Sequence, residues 1–235
     1  MKMNFKVTNK VTTKFCSDLF KAGRPPKRAQ LWGPMPINHL DIALRKKAEI
    51  DIFVDGGICH YHGRSKSLEL WIGDSDSLKK KLPAAILESN RFYLNTRKSY
   101  SDLEAALKLL PNHEGLIIEA FGFLGGRKDH EYINVGCASK MLAKRKWKMI
   151  NFWNSKNQNN DIKSIHILNK SINHSFKSIN PFSIFSYKNQ TVHLSGKMDY
   201  CGKINLPALS SLGLSNQGCG TFQIKPTSVL SLFLC

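Results

Sequence analysis

The sequence predicts an α/β domain with a parallel sheet, followed by an all-β domain, for three reasons. Short, continuously apolar runs recur about every twenty residues after position 28, and such runs are typical of parallel strands that are buried on both faces. One amphipathic helix separates two of these runs, whereas after Trp153 the runs are short, strand-like and divided by turn residues. A chain of 235 residues is long enough for both domains.

The strands predicted for the first domain are its five apolar runs. They are Ala29–Trp32, Ile50–Val54, Leu68–Ile72, Phe92–Leu94 and Leu116–Phe121. The helix begins after Ser101, because Ser101 and Glu104 form the Ser-x-x-Glu pattern of a capping box. Apolar residues from Leu103 to Leu110 repeat at the spacing of one helix face, and Pro111 ends the helix.

The second domain is predicted to be a β-sandwich of short strands. Its apolar runs are 164–168, 182–187, 191–194, 221–224 and 229–234, and no helical periodicity separates them. The polar, Asn-rich stretch that begins at Asn154 predicts a linker. The expected organisation is a basic arm at 1–24, a catalytic domain at 25–153, a linker at 154–163 and a sandwich at 164–235.

The net charge of +18 suggests nucleic-acid binding, but its distribution argues against that function. Residues 31–139, where the chemical motifs lie, carry 14 basic and 14 acidic side chains. The excess of positive charge therefore lies outside that segment, and the favoured interpretation is that these lysines form a solvated surface. Binding to nucleic acid stays open as the alternative.

The cysteines are at positions 16, 59, 137, 201, 219 and 235, and no two of them form a C-x-x-C pair. A zinc site is therefore not predicted, and reduced thiols in a cytoplasmic protein are expected. The basic, acid-poor start could instead be an organellar transit peptide. The longest apolar run near the end, Val229–Leu234, is far shorter than the ~20 residues of a membrane-spanning helix.

Polar motifs follow the ends of the predicted parallel strands, which is where open α/β sheets bind ligands. Gly33–Pro36 follows the first strand, Asp55–Gly57 the second and Gly73–Ser77 the third. In the last motif, Asp74 and Asp76 can face one cation, and their hard oxygen donors suit Mg²⁺. An ordinary Asp/Ser-rich turn is the alternative.

Two further motifs carry groups of the same kind. Asp102 lies at the first position of the predicted helix, either as a third metal ligand or as a carboxylate that the helix dipole favours. Gly125–His130 follows the fifth strand. Its two glycines let the backbone approach a ligand, and the Arg127 guanidinium can pair with phosphate through two parallel hydrogen bonds.

In their order along the chain, these motifs resemble those of the thiamin pyrophosphokinase family. The resemblance extends from about Gln30 to Cys235. The matching segments are 33–36, 55–57, 73–77, 101–107, 125–134 and, in the β domain, 196–200 and 213–216. It implies a Rossmann-like α/β catalytic domain, a C-terminal β-sandwich that binds thiamin, and a homodimer. It also implies Mg²⁺-dependent transfer of the terminal pyrophosphate of ATP to the hydroxyl of thiamin, with AMP as the second product.

The resemblance also assigns roles to residues of this chain. Asp74, Asp76 and Asp102 are the implied catalytic residues and Mg²⁺ ligands. The residues implied to bind the nucleotide are Asp55, Gly56, Gly57, Ser77, Gly125, Gly126, Arg127, Asp129 and His130. Ser215 and Asn216 are implied to contact thiamin in the site of the partner subunit.

The sequence departs from the family pattern at two places. Ser99 stands where the family often has a further carboxylate, and the segment Gly196–Tyr200 is one residue longer than usual. The departure near Tyr200 keeps open a pyrophosphokinase for another hydroxymethyl heterocycle, such as a pterin. The net charge keeps open a non-catalytic or nucleic-acid-binding relative.

Overall fold

The structure, a computed structural model, describes residues 25–37, 48–63, 67–74, 82–154 and 162–235. These residues form mostly β-sheet with few helices. The strands are β1 (Arg28–Trp32), β2 (Ile50–Val54), β3 (Leu68–Gly73), β4 (Arg91–Tyr93), β5 (Ile117–Phe121), β6 (Met149–Trp153), β7 (Ser164–Leu168), β8 (Ile172–Phe185), β9 (Gln190–Met198), β10 (Gly202–Leu206), β11 (Asn216–Pro226) and β12 (Leu230–Leu234). The α-helices are α1 (Asp102–Leu109) and α2 (Lys128–Lys144), and short 3-10 helices cover Asp55–His60, Glu88–Asn90 and Ser211–Gly213. No helix within these ranges is long and apolar enough to cross a membrane.

Six parallel strands form one half of the sheet. Their order is β6-β5-β1-β2-β3-β4, and each neighbouring pair is parallel. The chain returns from β4 to β5 through α1 and passes from β5 to β6 through α2. The direction of winding therefore reverses between β1 and β5, and a crevice at their carboxyl ends is the expected ligand site.

The other half of the sheet is antiparallel. β7 pairs with β6, and β12, β8, β11, β9 and β10 follow in that order. The strand pairing is thus continuous across the predicted domain boundary, and a separate two-layer sandwich stays a prediction. The predicted arm at 1–24 and residues 155–161 of the predicted linker lie outside the described residues.

Sequence patterns missed β6, β10 and α2. The buried positions of α2 begin only at Val135, so its first two turns, with the exposed Tyr132 and Ile133, show no helical periodicity. β8 begins ten residues before the predicted run at 182, because its first part alternates half-buried with exposed side chains of mixed polarity. In both elements the tertiary contacts, rather than a continuous apolar pattern, define the boundary.

The predicted helix is confirmed as α1. The Ser101 hydroxyl accepts a hydrogen bond from the Glu104 backbone N–H at 3.1 Å, as the capping-box pattern predicted. The Glu104 carboxylate itself forms an ion pair with Lys108 at 2.8 Å. Leu103 and Leu107 are buried in the core between the helices and the sheet, so α1 packs against the sheet.

The sheet face opposite α1 and α2 carries a row of buried polar side chains. Glu119, Asn151 and His166 are register neighbours on β5, β6 and β7. The Glu119 carboxylate accepts hydrogen bonds from Asn151 Nδ2 at 3.0 Å and from Trp153 Nε1 at 2.6 Å, and it forms an ion pair with Arg28. The buried carboxylate therefore has the partners that its charge requires.

His166 ends this row as a neutral imidazole. Its Nδ1 donates to Asn151 Oδ1 at 2.7 Å, because the Asn151 amide nitrogen already donates to Glu119. Its Nε2 accepts from the Ser164 hydroxyl at 2.9 Å. Burial, reinforced by the neighbouring His174, lowers the pKa of His166 from 6.5 to about 4.

This shift predicts that acid destabilises the fold. Between pH 6.5 and 4 the unfolded chain binds a proton at His166 that the folded chain does not, so stability rises with pH across this window. We expect this group to lower the free energy of unfolding by about 2 kcal/mol at pH 5 relative to pH 7, measured by urea denaturation. His166→Gln should flatten this dependence, whereas replacement of the exposed His193 by Gln should not. An unchanged slope in His166→Gln would contradict the prediction.

The close approach of β1 and β5 at their carboxyl ends depends on two glycines. Gly33 N–H donates to Phe121 O at 2.7 Å, and a Cβ on Gly33 would overlap the carbonyl oxygen of Gly122. Gly122 has φ +72, and a Cβ there would lie 2.7 Å from the Gly33 carbonyl oxygen. Neither backbone can move away without opening the ladder between the two strands.

We predict opposite effects for the same substitution at two glycines. Gly33→Ala should lower the free energy of unfolding by about 2 kcal/mol, because the added methyl group meets backbone that cannot shift. Gly136 lies within α2, where a Cβ would meet only the Tyr187 hydroxyl, at 3.9 Å. Gly136→Ala should therefore stabilise by up to about 1 kcal/mol through helix propensity. Urea denaturation of both variants measures the sign of each change in the free energy of unfolding. Equal changes in the two variants would show that Gly33 is not required for the close approach of β1 and β5.

Candidate functional site

A cavity of about 430 Å³ opens at the carboxyl ends of the parallel strands. The loops after β1, β2, β4 and β5 line it, together with the first turns of α1 and α2. The predicted site residues in this lining are Asp55, Asp102, Gly126, Arg127 and His130. The fold thus brings together groups that are up to 75 positions apart in the chain, at the place where the strand order predicts a ligand site.

Lys98 lies between two of the predicted metal ligands. Its Nζ is 3.4 Å from Asp74 Oδ2 and 3.1 Å from Asp102 Oδ1, and its side chain is only 9% exposed. Burial by itself lowers the pKa of Lys98, but the hydrogen bonds and charges of Asp102 and Asp74 outweigh burial and raise the pKa above its usual value. The two carboxylates therefore share one cation.

Asp74 and Asp102 are the described part of the predicted metal site. Within the parts of the chain that the structure describes, no three His, Cys, Asp or Glu side chains are grouped so that they could hold a metal ion. Asp76 and Ser77, which the sequence places beside Asp74, lie outside the described residues. Two carboxylates that converge on one ammonium supply the hard oxygen donors that suit Mg²⁺, so these residues fit that ion as part of its ligand set.

Asp55 has a strained backbone at the end of β2. Its φ is +51, a conformation that non-glycine residues rarely adopt, and such positions concentrate at functional sites. The Trp71 indole N–H donates to the Asp55 carbonyl oxygen at 3.1 Å and holds this conformation. A Cβ on Gly73 would lie 2.9 Å from Asp55 Cα, so glycine is required beside it.

The two glycines after Asp55 pack against the β1 loop. A Cβ on Gly57 would overlap the carbonyl oxygen of Trp32, and one on Gly56 would lie 3.2 Å from Pro34 Cβ. Neither glycine is among the residues that line the cavity. Their direct role in nucleotide binding stays a prediction, and the structure adds a packing role.

The glycine-rich loop after β5 is anchored by α2. The Gly125 N–H donates to the Glu131 carboxylate, and Asn134 Nδ2 donates to the Phe123 carbonyl oxygen at 3.2 Å. A Cβ on Gly126 would lie 2.9 Å from Met35 Sδ, so the loop approaches the β1 loop closely. Sequence reasoning missed the anchoring role of Glu131, although its acidic side chain in the first turn of α2 was a visible signal.

Arg127 and Asp129 form a bidentate ion pair. Arg127 Nε and Nη2 lie 3.1 Å and 2.6 Å from the two carboxylate oxygens of Asp129, and the hydrogen bond from Arg127 lowers the pKa of Asp129. The side chains are 73% and 59% exposed. Because exposed ion pairs are weak, a phosphate group can compete for the guanidinium. The exposed His130 follows them and also lines the cavity.

Asn216 begins β11 in the antiparallel half of the sheet and Ser215 directly precedes it, and neither is among the residues that line this cavity. The buried Asn216 accepts from the Tyr200 backbone N–H at 3.1 Å and donates to the Tyr200 carbonyl oxygen at 3.1 Å. Ser215 is exposed with φ +57, and its N–H donates to Ser183 Oγ at 3.0 Å. Their contact with thiamin stays a prediction, and Asn216 has a structural role that the sequence did not reveal.

The crevice at the strand-order reversal, the carboxylates at the strand ends and the glycine-rich loop with its guanidinium are typical of an α/β domain that binds phosphorylated ligands. The family described as thiamin pyrophosphokinase, catalytic domain, has a model that matches residues 43–151. This segment of the chain is therefore similar to the catalytic domain of that family, which confirms the resemblance found in the sequence.

Solved structures of similar fold are also known. A thiamine pyrophosphokinase from Bacillus subtilis is 19% identical, with a TM-score of 0.64, over 88% of this chain and 98% of the other. Thiamin pyrophosphokinase from Candida albicans is 14% identical, with a TM-score of 0.65, over 88% and 89%. Thiamin pyrophosphokinase from Geobacillus thermodenitrificans is 17% identical, with a TM-score of 0.61, over 88% and 96%. At these identities the similarity shows the fold. No match was found among curated proteins.

We predict that Asn216 stabilises the turn at Tyr200. Asn216→Leu removes both hydrogen bonds to the Tyr200 backbone, and the free energy of unfolding should fall by about 2 kcal/mol. The Tyr200 amide proton should also exchange faster with solvent. Ser215→Ala is the matched control, because the neighbouring side chain is exposed and its stability effect should be below about 0.5 kcal/mol. Unchanged exchange at Tyr200 in Asn216→Leu would contradict the structural role.

Proposed function

We propose that the protein is a thiamin pyrophosphokinase, which transfers the terminal pyrophosphate of ATP to the hydroxyl of thiamin with the help of Mg²⁺. The observation that carries this proposal is the convergence of Asp74 and Asp102 on one cation, beside the cavity of a domain that matches the family's catalytic-domain model. A cavity of about 430 Å³ is within the range of sites for small ligands.

At the β-phosphorus the reaction forms one bond and breaks one. The hydroxyl oxygen of thiamin attacks the β-phosphorus of ATP, and the bond from that phosphorus to the oxygen bridging the α-phosphorus breaks. AMP leaves with the bridging oxygen, and the hydroxyl proton passes to solvent. The work of the protein is to position the two substrates and to neutralise phosphate charge.

Several charged groups at the cavity have a part in this work. Asp74, Asp76 and Asp102 would hold Mg²⁺, which, when bound, neutralises charge on phosphate oxygens. Arg127 would exchange Asp129 for a nucleotide phosphate, because a guanidinium binds phosphate in the same bidentate manner as a carboxylate. The Gly125–Gly126 backbone, anchored by Glu131, would approach the same phosphates.

The antiparallel half completes the proposal. Residues 164–235 would fold as a β-sandwich domain and supply Ser215 and Asn216 to the thiamin site of a second subunit, so that the active protein is a homodimer. A buried apolar cluster with members from all six antiparallel strands supports a compact domain; these include Leu168, Phe182, Val192, Leu206, Phe222 and Leu230. A cytoplasmic location, expected from the cysteine pattern, belongs to the same proposal.

We predict that Asp74→Asn and Asp102→Asn each reduce turnover at least about 100-fold, because a lost carboxylate weakens the neutralisation of phosphate charge. AMP and thiamin pyrophosphate formed from ATP, Mg²⁺ and thiamin are measured by chromatography. Glu114→Gln is the control, since Glu114 is an exposed carboxylate paired with Lys170 away from the cavity.

Circular dichroism should show that both variants keep the fold. Near-normal turnover in both would remove these carboxylates from the proposed site. If the wild-type protein forms no AMP with thiamin but does so with a hydroxymethyl pterin, the acceptor is the pterin.

A further inference from the structure

Lys98 is the charged group of the site to which neither the sequence motifs nor the reaction assigns a role. It comes from the loop after β4 and lines the cavity. Its two partners come from other parts of the fold, Asp74 from the end of β3 and Asp102 from the first turn of α1. Three elements therefore place their charged groups around one point.

The position of the ammonium has an electrostatic reason. Two carboxylates that face each other repel, and this repulsion is strong where little water can enter. With the Lys98 side chain only 9% exposed, its charge rather than solvent neutralises the pair. The ammonium therefore keeps the carboxylates together in the absence of any other cation.

A divalent cation would compete for the same oxygen atoms. Mg²⁺ and the ammonium cannot both lie against Asp74 Oδ2 and Asp102 Oδ1 without strong repulsion between like charges. Lysine has a flexible four-carbon stem, so its head can turn to a nearby acceptor while its attachment stays fixed. In a cavity that receives a polyphosphate, the phosphate oxygens are that acceptor.

We propose that Lys98 exchanges partners during the catalytic cycle: it holds the place of the divalent cation in the empty site, and it turns to the phosphate oxygens of the nucleotide when that cation binds. This inference rests on the proposed function and adds a residue to it. It assigns Lys98 two effects of opposite sign, on metal affinity and on turnover.

The test is Lys98→Met, which keeps the aliphatic stem and removes the charge. Without its competitor, Mn²⁺ should bind the nucleotide-free protein about tenfold more tightly, measured by the loss of the free Mn²⁺ signal in electron paramagnetic resonance. Turnover with Mg²⁺, ATP and thiamin should fall by about tenfold or more, because a phosphate contact is lost. A lysine with a merely structural role would weaken both measurements, and an uninvolved lysine would change neither.

Two further variants complete the experiment. Lys98→Arg keeps the charge, so Mn²⁺ affinity should stay near that of the wild type and part of the turnover should return. Lys170→Met removes an ammonium from an exposed carboxylate pair elsewhere and should leave both measurements unchanged. If Lys98→Met does not give the circular dichroism spectrum of the folded protein, Lys98→Gln replaces it.

The outcomes separate this inference from the proposed function. Equal or weaker Mn²⁺ binding by the neutral variant, or no binding by either protein, overturns the exchange of partners. Full turnover of Lys98→Met overturns the phosphate contact. If the wild type forms no thiamin-dependent AMP, the proposed function fails, whereas the Mn²⁺ titration still decides whether Lys98 holds the place of a cation.

Discussion

The contact between Gly33 and Gly122 is the constraint on which the site depends. It brings the carboxyl ends of β1 and β5 together at the point where the winding of the sheet changes direction. From there the β1 loop can meet the glycine-rich loop, where Gly126 approaches Met35. The cavity is therefore shaped by backbone packing first, and its charged side chains are placed by the loops that this packing fixes.

Lys98 and Arg127, two cations that line the cavity, are already paired with carboxylates of the chain. Lys98 forms ion pairs with Asp74 and Asp102, and Arg127 forms one with Asp129. Binding of a cation and a polyphosphate would therefore exchange internal partners for external ones, with little change in the number of ion pairs. In the empty site, each of these charges is therefore neutralised by a partner of opposite sign. Because the cation and the anion displace these internal partners, binding of one depends on binding of the other.

Much of this arrangement could be predicted from the sequence because its causes are local. The continuous apolar run Ile50–Val54 marks a buried strand, Ser101 marks the start of α1, and the ends of the strands locate the cavity. The ion pair between Lys98 and Asp74 could not be predicted, because it joins two loops 24 residues apart whose distance is set by the β3–β4 pairing.

Non-local contacts likewise determine the features that the sequence did not reveal. From the sequence, Asn216 is a polar residue in a loop motif. Only the antiparallel pairing of β9 and β11 brings its amide to the Tyr200 backbone. The start of α2 shows no periodicity because its first turns face solvent, where packing places no demand on the sequence.

The pairing of β6 with β7 has a consequence for how the protein can be divided. Met149–Trp153 is an apolar strand with a neighbour on each side, β5 and β7. A chain cut within the Asn-rich stretch would convert it into an edge strand whose open N–H and C=O groups invite pairing with other molecules. In the domain that carries the charged cavity, β7 of the antiparallel half therefore protects the edge of β6. Because each half alone would expose one of these two strands as an edge, we expect either half alone to aggregate.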